Sequence, residues 1–205
     1  MARIFRVSAR AGMTGLLEPV ARRLLRAGIS PNAVTVAGTI GVLIGALGFG
    51  ARGHLIPALI IVGLSASTDM LDGTMARLSG GSTKFGAFLD SSMDRIADAA
   101  IIGGLTYWLA VSGDRWTAVV GLICLVAGQL VSYVKARAEG LGISCDVGIA
   151  ERPERLIIVG LGTLLTALGV SWGLPVAFWL LAVLSVITVG QRIRHVYLQT
   201  RSTRG

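Results

Sequence analysis

Long apolar stretches dominate the chain, and short polar breaks separate them. A helix that crosses the hydrocarbon core of a bilayer needs about 20 mostly apolar residues, and six stretches reach that length. The first, fifth and sixth are apolar throughout, whereas the second, third and fourth become polar at one end. The pattern therefore predicts an all-α integral membrane protein with six transmembrane helices, at roughly residues 32–51, 55–77, 88–112, 115–138, 153–171 and 174–195.

The breaks between the apolar stretches alternate between short and long. The first, third and fifth breaks are only a few residues long, whereas the second and fourth are longer and polar. We expect one helical domain over residues 32–195, with a plain face at the short breaks and an elaborated face at the long ones. An N-terminal arm over residues 1–31 precedes this domain, and a C-terminal tail over residues 196–205 follows it.

The N-terminal arm contains an amphipathic segment at residues 16–26, with leucines and Val20 on one helical side and arginines on the other. The predicted architecture includes this segment as an interfacial helix lying on the cytoplasmic leaflet. An ordinary amphipathic helix packed against the bundle is an equally open alternative. Arginines interrupt the apolar runs of the arm, so we expect no cleavable signal peptide.

The composition excludes several classes of protein. Only 15% of the residues are charged and 53% are apolar, which excludes soluble and disordered chains, and the 28 glycines are typical of helices packed on small residues in membranes. Cys124 is predicted within a span and Cys145 in a polar connection, so we expect no disulfide. His54 and His195 are predicted on opposite faces, which excludes a Cys/His zinc site.

The net charge of +8 is unevenly distributed over the two faces. All Lys and Arg residues except Arg52 and Arg115 lie in the terminal arms or on the elaborated face. By the positive-inside rule, both termini and the elaborated face are cytoplasmic. This topogenic role accounts for positive charge without nucleic acid as a partner. The same face carries every acidic residue except Asp114, which the rule does not require.

Two pairs of aspartates lie where the second span ends and the third begins. Asp69 and Asp72 are spaced i,i+3, and Asp90 and Asp94 are spaced i,i+4, so each pair shares one helix face. A short loop is expected to make the two helices antiparallel neighbours, so that the pairs converge. Four carboxylates at one depth need cations, and all-oxygen ligands suit Mg²⁺, Mn²⁺ or Ca²⁺. Four aspartates suffice for two metal ions about 3.5–4 Å apart.

Two other interpretations of these carboxylates stay open. They could be polar helix ends at the membrane interface, with the first pair bonded to Arg77 and Arg95. They could also form the binding site of a divalent-cation channel or transporter. Gly73 and Gly86 in the same segment favour a site that another group approaches closely, although Gly86 could merely be a packing glycine.

The segment from Asp69 to Asp94 resembles the signature of the CDP-alcohol phosphotransferases without a departure. The six-span layout and the cytoplasmic charge fit the same family. The resemblance implies transfer of a substituted phosphoryl group from a CDP-linked donor to an alcohol, with release of CMP and with two divalent metal ions, Mg²⁺ or else Mn²⁺. The signature requires eight residues at fixed spacing, and all are present: Asp69, Asp72, Gly73, Ala76, Arg77, Gly86, Asp90 and Asp94.

The resemblance also implies a role for individual residues. Asp94 would touch the second metal ion and act as general base on the acceptor hydroxyl, with the other three aspartates as metal ligands. Gly73 would let the nucleotide approach the backbone, and Arg77 would pair with its pyrophosphate. A bilayer-embedded site suits a lipid-anchored nucleotide, so the expected donor is CDP-diacylglycerol. The rest of the donor site would comprise Ser82, Thr83, Pro31, Asn32, Ala33 and Val34.

Cations at three helix ends predict a pocket for a phosphate group on the acceptor. They lie at the cytoplasmic ends of the fourth, fifth and sixth spans, on the same face as the aspartates. The alternative is topogenic, snorkelling charge, with nearby glutamates such as Glu139 as ion-pair partners. The predicted pocket comprises Lys135, Arg155, Arg194, Ser132, Arg152 and Arg137.

Residues 84–95, 133–142 and 151–155 resemble the actinobacterial phosphatidylinositol phosphate synthases, a group within this family. That resemblance implies 1D-myo-inositol 3-phosphate as the acceptor, phosphatidylinositol phosphate as the product, and a homodimer. Phosphatidylglycerophosphate synthase, whose acceptor glycerol 3-phosphate also carries a phosphate, is the main alternative. Free inositol as the acceptor would leave the cations harder to explain. Asp98 has no role in the signature, and we expect it to support another residue such as Arg95.

Overall fold

The computed structural model describes residues 17–202, and every regular element within them is helical. The expectation of an all-α protein is therefore confirmed for this part of the chain. A short helix, α1, covers residues 17–26. The other α-helices are α2 (Pro31–Leu43), α3 (Leu55–Ala66), α4 (Thr68–Leu78), α5 (Lys84–Val111), α6 (Arg115–Glu139), α7 (Arg152–Ala167) and α8 (Gly173–Ser202).

Local sequence signals explain where several helices begin and end. Pro31 opens α2, where its fixed φ suits the first turn, and the Ser30 side chain caps the helix. Asp114 caps α6 in the same way, and Gly113 just before it has a φ of 97°, which ends α5. Gly169 likewise has a φ of 95°, in the short connection after α7.

Beyond Leu43, α2 continues as a π-helical turn, Ile44–Phe49, and a 3₁₀ turn, Gly50–Arg52. The π-turn brings the backbone close to α5, because a Cβ added at Gly104 would lie 2.6 Å from the carbonyl oxygen of Ala46. Only glycine allows this approach without a shift of the backbone.

Four helical segments among residues 17–202 are long and apolar enough to cross a membrane, so the described part of the chain is that of a multi-pass membrane protein. The third predicted span, in α5, fails this criterion because Asp94, Arg95 and Asp98 lie among its apolar residues. The fifth fails because α7 has only 16 residues and ends at Ala167. The four segments are Pro31–Arg52, Leu55–Leu78, Arg115–Glu139 and Gly173–Arg201.

The chain divides into two compact units. Among the described residues, the first unit comprises 17–45 and Ile60–Ala97, and the second comprises Ala46–Leu59 and 98–202. One boundary therefore passes through α5, between Ala97 and Asp98.

In the first unit, α1 packs against α2 and α4. Ala21 and Met75 are fully buried and form a small apolar core with Val34, on which Leu24 and Leu25 pack. The arginines of α1 are exposed on its other side. The leucine side therefore faces protein, which favours the packed alternative for this helix. The interfacial position stays a prediction, and residues 1–16 of the predicted arm lie outside the described part.

The second unit has a larger core built by α5, α6, α7 and α8. Close approach of α6 to its neighbours requires Gly121, because a Cβ there would overlap Thr106 and lie 2.7 Å from the ring of Phe178. Cys124 and Cys145 are both buried free thiols. Fully or nearly fully buried side chains of this core are Leu105, Leu109, Cys124, Val159, Leu174, Phe178 and Leu181.

Candidate active site

The two aspartate pairs lie on α4 and on the first half of α5, within the first unit. The connection between these helices contains Gly80 and Gly81, whose φ angles of 94° and 112° suit glycine. Thr83 then caps α5, because its side chain accepts a hydrogen bond from the N–H of Gly86 at 2.9 Å. The second signature glycine thus lies in the first turn of the helix that carries Asp90 and Asp94.

Asp72 is a buried aspartate at the centre of this arrangement, with 6% of its surface exposed. Its Oδ2 accepts a hydrogen bond from the hydroxyl of Thr35 in α2, at 2.5 Å. The carboxylates of Asp69 and Asp90 both lie close enough to act on Asp72 electrostatically. The structure therefore brings Asp69 of α4 and Asp90 of α5 within electrostatic reach of Asp72. The convergence of Asp94 with these three carboxylates stays a prediction.

The chemistry of this donor set fits a divalent metal ion. Its ligating atoms are all carboxylate oxygens, which are the preferred ligands of Mg²⁺ and Mn²⁺, and a cation would relieve their mutual repulsion. Within residues 17–202, no three acidic, histidine or cysteine side chains already converge on one point.

Asp94 lies one helical turn after Asp90, and its side chain is 20% exposed. Its Oδ2 is 4.0 Å from Nη2 of Arg95, at the outer limit of an ion pair. A half-buried carboxylate on the helix that also carries Asp90 suits a group that exchanges a proton with a substrate.

The first signature glycine leaves space above the backbone of α4. A Cβ added at Gly73 would have only Nη1 of Arg77 within 4 Å, at 3.8 Å. Among residues 17–202, no neighbouring atom thus requires glycine at this position, which fits the expected approach of a ligand. Arg77 is exposed, and its Nη2 donates a hydrogen bond to the hydroxyl of Thr74 at 2.9 Å.

The start of α2 lies beside the start of α5. A Cβ added at Gly86 would lie 3.2 Å from Oδ1 of Asn32 and 3.2 Å from Oγ1 of Thr83. The structure therefore brings together two residues of the predicted donor site around a signature glycine. Among the others, Ser82 and Ala33 are exposed, Pro31 is half-buried, and Val34 is buried in the apolar core of the first unit.

In the second unit, two of the arginines predicted to bind the acceptor phosphate share the carboxylate of Asp98. Oδ1 of Asp98 accepts from Nε of Arg152 at 3.2 Å, and Oδ2 accepts from Nη2 of Arg155 at 2.7 Å. The side chain of Arg155 is only 8% exposed, whereas that of Arg152 is 24% exposed. Asp98 thus supports these two arginines, and its expected link to Arg95 stays a prediction.

The remaining predicted acceptor residues have different surroundings. Nζ of Lys135 donates to Oδ1 of Asp146 at 2.5 Å and lies 3.8 Å from Oε1 of Glu139. The hydrogen bond from Lys135 holds the pKa of the Asp146 carboxyl below its usual range. The contact with Glu139 is the ion pair expected if Lys135 serves membrane topology and not phosphate binding. Ser132 donates to the carbonyl oxygen of Gly128, and Arg137 and Arg194 are exposed.

Sequence reasoning missed three residues with contacts in or near these two clusters: Thr35, Asp146 and Arg192. It expected Asp98 to support an arginine such as Arg95, but not that Arg152 and Arg155 would be its partners. Arg192 is 3% exposed, and it donates to the carbonyl oxygens of Val131 and Val147, so it joins α8 to α6 and to the connection before α7. A buried arginine that bonds two carbonyls has a packing role. The sequence does not distinguish Arg192 from its neighbour Arg194, because both lie in the polar segment that ends the sixth predicted span.

Comparison with known proteins places the chain in a family. The family model for CDP-alcohol phosphatidyltransferase matches residues 28–190, which include the four signature aspartates and Asp98 with its two arginines. The chain belongs to this family. Its membership in this family and its apolar helices identify the protein as a multi-pass membrane enzyme. The aspartates of the family signature lie on α4 and at the start of α5.

Named relatives at high identity cover most of the chain. It is 49% identical over 199 residues to the phosphatidylinositol phosphate synthase of Mycobacterium marinum, across 95% of this chain and 85% of that protein. It is 48% identical to the enzyme of the same name from Corynebacterium glutamicum, across 87% of this chain and 82% of that protein.

Solved structures of the Mycobacterium tuberculosis phosphatidylinositol phosphate synthase share the fold. The structure with CDP-DAG bound superposes with a TM-score of 0.85 at 46% identity, covering 88% of this chain and 93% of that one. The complex with manganese and citrate also gives a TM-score of 0.85 and covers 88% of each chain. Together with the acidic cluster here, the family and its manganese complex indicate a divalent-metal-dependent transferase.

Proposed function

We propose that this protein transfers the phosphatidyl group of CDP-diacylglycerol to 1D-myo-inositol 3-phosphate, giving phosphatidylinositol phosphate and CMP. One observation carries the proposal: the chain is 46–49% identical, over most of its length, to phosphatidylinositol phosphate synthases that include an enzyme solved with CDP-DAG bound. The complete aspartate signature on α4 and α5 supports the same reaction.

In this reaction, the acceptor hydroxyl oxygen attacks the phosphorus that carries diacylglycerol, and the bond from that phosphorus to the CMP oxygen breaks. Asp94 takes the hydroxyl proton, since an alcohol with a pKa well above 7 needs a positioned base. Asp69, Asp72 and Asp90 hold the metal ions, and Asp94 also touches the second ion. Two Mg²⁺ or Mn²⁺ ions, when bound, neutralise the pyrophosphate and the leaving CMP.

The donor site lies on the first unit in this proposal. Gly73 supplies the open backbone surface for the nucleotide, and Arg77 pairs with the pyrophosphate, which suits an exposed guanidinium on the turn after Asp72. Contacts to the rest of the donor come from the paired starts of α2 and α5, through Pro31, Asn32, Ala33, Val34, Ser82 and Thr83.

The phosphate of the acceptor binds to cations of the second unit. Arg152 and Arg155 contribute neighbouring guanidiniums in the first turn of α7, where the helix N-terminus also favours an anion. Lys135 contributes a further positive charge, with Arg194, Arg137 and Ser132 completing the set. These cations favour a phosphorylated acceptor over free inositol.

We also propose the membrane arrangement of the whole chain. Residues 32–195 form six transmembrane helices, with α5 and α7 as the two that are less apolar or shorter. Both termini and the active site lie in the cytoplasm, because most Lys and Arg residues lie on the face of the aspartates. In the intact cell membrane, the N-terminal segment lies at the cytoplasmic interface and the protein forms a homodimer.

An acceptor assay tests the proposed function. Purified protein receives CDP-diacylglycerol and Mg²⁺ together with inositol 3-phosphate, glycerol 3-phosphate, inositol or serine, and CMP release is measured. We expect release with inositol 3-phosphate, and release with glycerol 3-phosphate alone would overturn the acceptor assignment. Metal flux into liposomes without any nucleotide would instead identify a divalent-cation transporter.

A further inference from the structure

Asp98 occupies an unusual place, because one carboxylate bridges two arginines of a different helix. It projects from α5, its side chain is 12% exposed, and it contacts the first turn of α7 through both oxygens. Arginines in the first turn of a helix are disfavoured by the helix dipole, and they also repel each other. A shared carboxylate offsets both effects and holds Arg152 and Arg155 side by side.

The surroundings of Arg155 make this contact hard to replace. A cavity of about 20 Å³ lies against the Asp98–Arg155 pair, and apart from Gln129 the rest of its wall is apolar or glycine. The mostly apolar wall offers a guanidinium that had lost its carboxylate few other polar partners. Arg155 therefore depends on Asp98 for its charge compensation and for its orientation.

We propose that Asp98 is a positioning residue, which orients Arg152 and Arg155 for the phosphate group of the acceptor alcohol. This inference rests on the proposed function, and it goes beyond the signature, which assigns Asp98 no role. Asp98 touches neither substrate, and it acts through the arginines alone.

Loss of the carboxylate charge would have two opposite effects on a bound phosphate. It would remove a repulsion, which lowers the acceptor KM, but it would also let two like-charged guanidiniums separate, which raises the KM. The loss of orientation is expected to dominate, because Arg155 is nearly enclosed and has little other solvation. Removal of groups that orient a binding residue commonly weakens binding about 10- to 100-fold.

The test compares Asp98→Asn and Asp98→Glu with the matched control Asp114→Asn. Asp114 caps the N-terminus of α6, where asparagine is an equally good cap, so this control removes one negative charge without the loss of a helix cap. For each variant, KM for inositol 3-phosphate, KM for CDP-diacylglycerol, kcat and the midpoint of thermal unfolding in detergent are measured.

For Asp98→Asn, we expect the acceptor KM to rise about tenfold, with kcat within about threefold and the donor KM unchanged. Asp98→Glu keeps the charge but displaces the carboxylate, so its acceptor KM should rise only about threefold. Inositol 3-phosphate should raise the unfolding midpoint of the wild type and of Asp114→Asn, and at the same concentration it should raise that of Asp98→Asn by less. Should Asp98→Asn fail to fold, Asp98→Glu provides the same KM test.

An unchanged acceptor KM with a lowered unfolding midpoint would reduce Asp98 to a packing role, and a lowered KM would make it a competing counter-ion. Either result overturns the inference. Failure of the proposed function is recognised separately, in the wild type. If the wild type releases CMP only with glycerol 3-phosphate, the acceptor assignment fails, and the same variants then test Asp98 with that phosphorylated acceptor.

Discussion

The hydroxyl of Thr35 donates a hydrogen bond to Oδ2 of Asp72 at 2.5 Å, across 37 residues of sequence. Both side chains are buried, at 7% and 6% exposure, so this bond fixes the direction of the carboxylate at the centre of the acidic cluster. It also ties α2, whose first turn is proposed to contact the donor, to α4, which carries the first aspartate pair. The relationship links the geometry of metal binding to a helix outside the signature.

Replacement of Thr35 by valine should weaken metal binding. Valine keeps the shape of threonine but cannot donate, so Asp72 loses the contact that orients it. We expect the Mg²⁺ concentration for half-maximal activity to rise about tenfold, as for other groups that orient metal ligands. Titration of CMP release with Mg²⁺ measures this. Thr35→Ser, which keeps the hydroxyl, should remain close to the wild type, and equal metal requirements in both variants would contradict the role.

Asp94→Asn should abolish turnover while leaving substrate binding largely intact. Asparagine has nearly the same shape, but it cannot accept the acceptor's proton, and loss of a general base lowers the rate about 10²- to 10⁴-fold. Binding of CDP-diacylglycerol and Mn²⁺ is measured separately from CMP release. As a contrast, Asp90→Asn should weaken metal binding itself. Normal turnover in Asp94→Asn would exclude this residue as the base.

Arg155→Ala should chiefly raise the KM for the acceptor. A hydrogen-bonded guanidinium–phosphate contact contributes about 1.5–3 kcal/mol, which corresponds to an increase of roughly 10- to 100-fold. The donor KM should stay unchanged. Arg115→Ala, an exposed arginine at the first turn of α6, is the matched control. If the acceptor KM of Arg155→Ala equals that of the control, the arginine serves orientation or packing only.

The Lys135–Asp146 contact should respond to pH in the acid range only. The hydrogen bond from Lys135 lowers the pKa of Asp146, so the folded protein keeps this carboxylate ionised more readily than the unfolded chain does. Its contribution is present above the usual pKa of aspartate, about 3.9, and is lost as the pH falls through the lowered folded value. Between pH 5 and pH 8, about the range of ordinary assays, the contact is therefore constant.

Asp146→Asn should lower the acceptor KM about two- to threefold at low salt, in contrast to Asp98→Asn. The Asp146 side chain is 78% exposed, so it competes with an incoming phosphate for Lys135 without holding the lysine in a pocket. The effect should disappear at high ionic strength, because exposed charges are screened. Kinetics at two salt concentrations measure this, and an increase in the acceptor KM would contradict a competing role.

The sequence predicts most helix positions well, because apolar runs, Pro31, Asp114 and Gly113 are local signals. The fourth predicted span, 115–138, nearly coincides with α6 at Arg115–Glu139. The sequence does not predict the end of α7 at Ala167, because the fifth predicted span runs to residue 171 and the residues after Ala167 are still mostly apolar. Leu168, for example, lies after the end of the helix and is as apolar as the residues within it.

The site is predictable only as far as its signals are local. The aspartate spacing lies within two adjacent helices, so it is visible in the sequence. The bonds from Thr35 to Asp72 and from Asp98 to Arg155 join residues 37 and 57 positions apart, and they depend on how separate helices pack. A threonine in an apolar span and an aspartate beyond the signature carry no local sign of these partners.

Two adjacent glycines of α5 offer a direct test of the packing at the π-turn. A Cβ at Gly104 would lie 2.6 Å from the carbonyl oxygen of Ala46, whereas a Cβ at Gly103 would have no atom within 4 Å in the described part of the chain outside the nearby backbone of α5. Backbone cannot move aside as a flexible side chain can, so Gly104→Ala should destabilise the fold by about 1–3 kcal/mol.

Gly103→Ala is the matched control, and it should be neutral or stabilise the helix by up to about 1 kcal/mol, because alanine loses less conformational freedom on folding. The midpoints of thermal unfolding in detergent measure both changes, with activity at low temperature as a check that each variant folds. Equal midpoints for the two variants would show that the π-turn does not press on α5. A lower midpoint for Gly104→Ala alone would establish that α5 needs its glycine to accommodate the widened turn after α2.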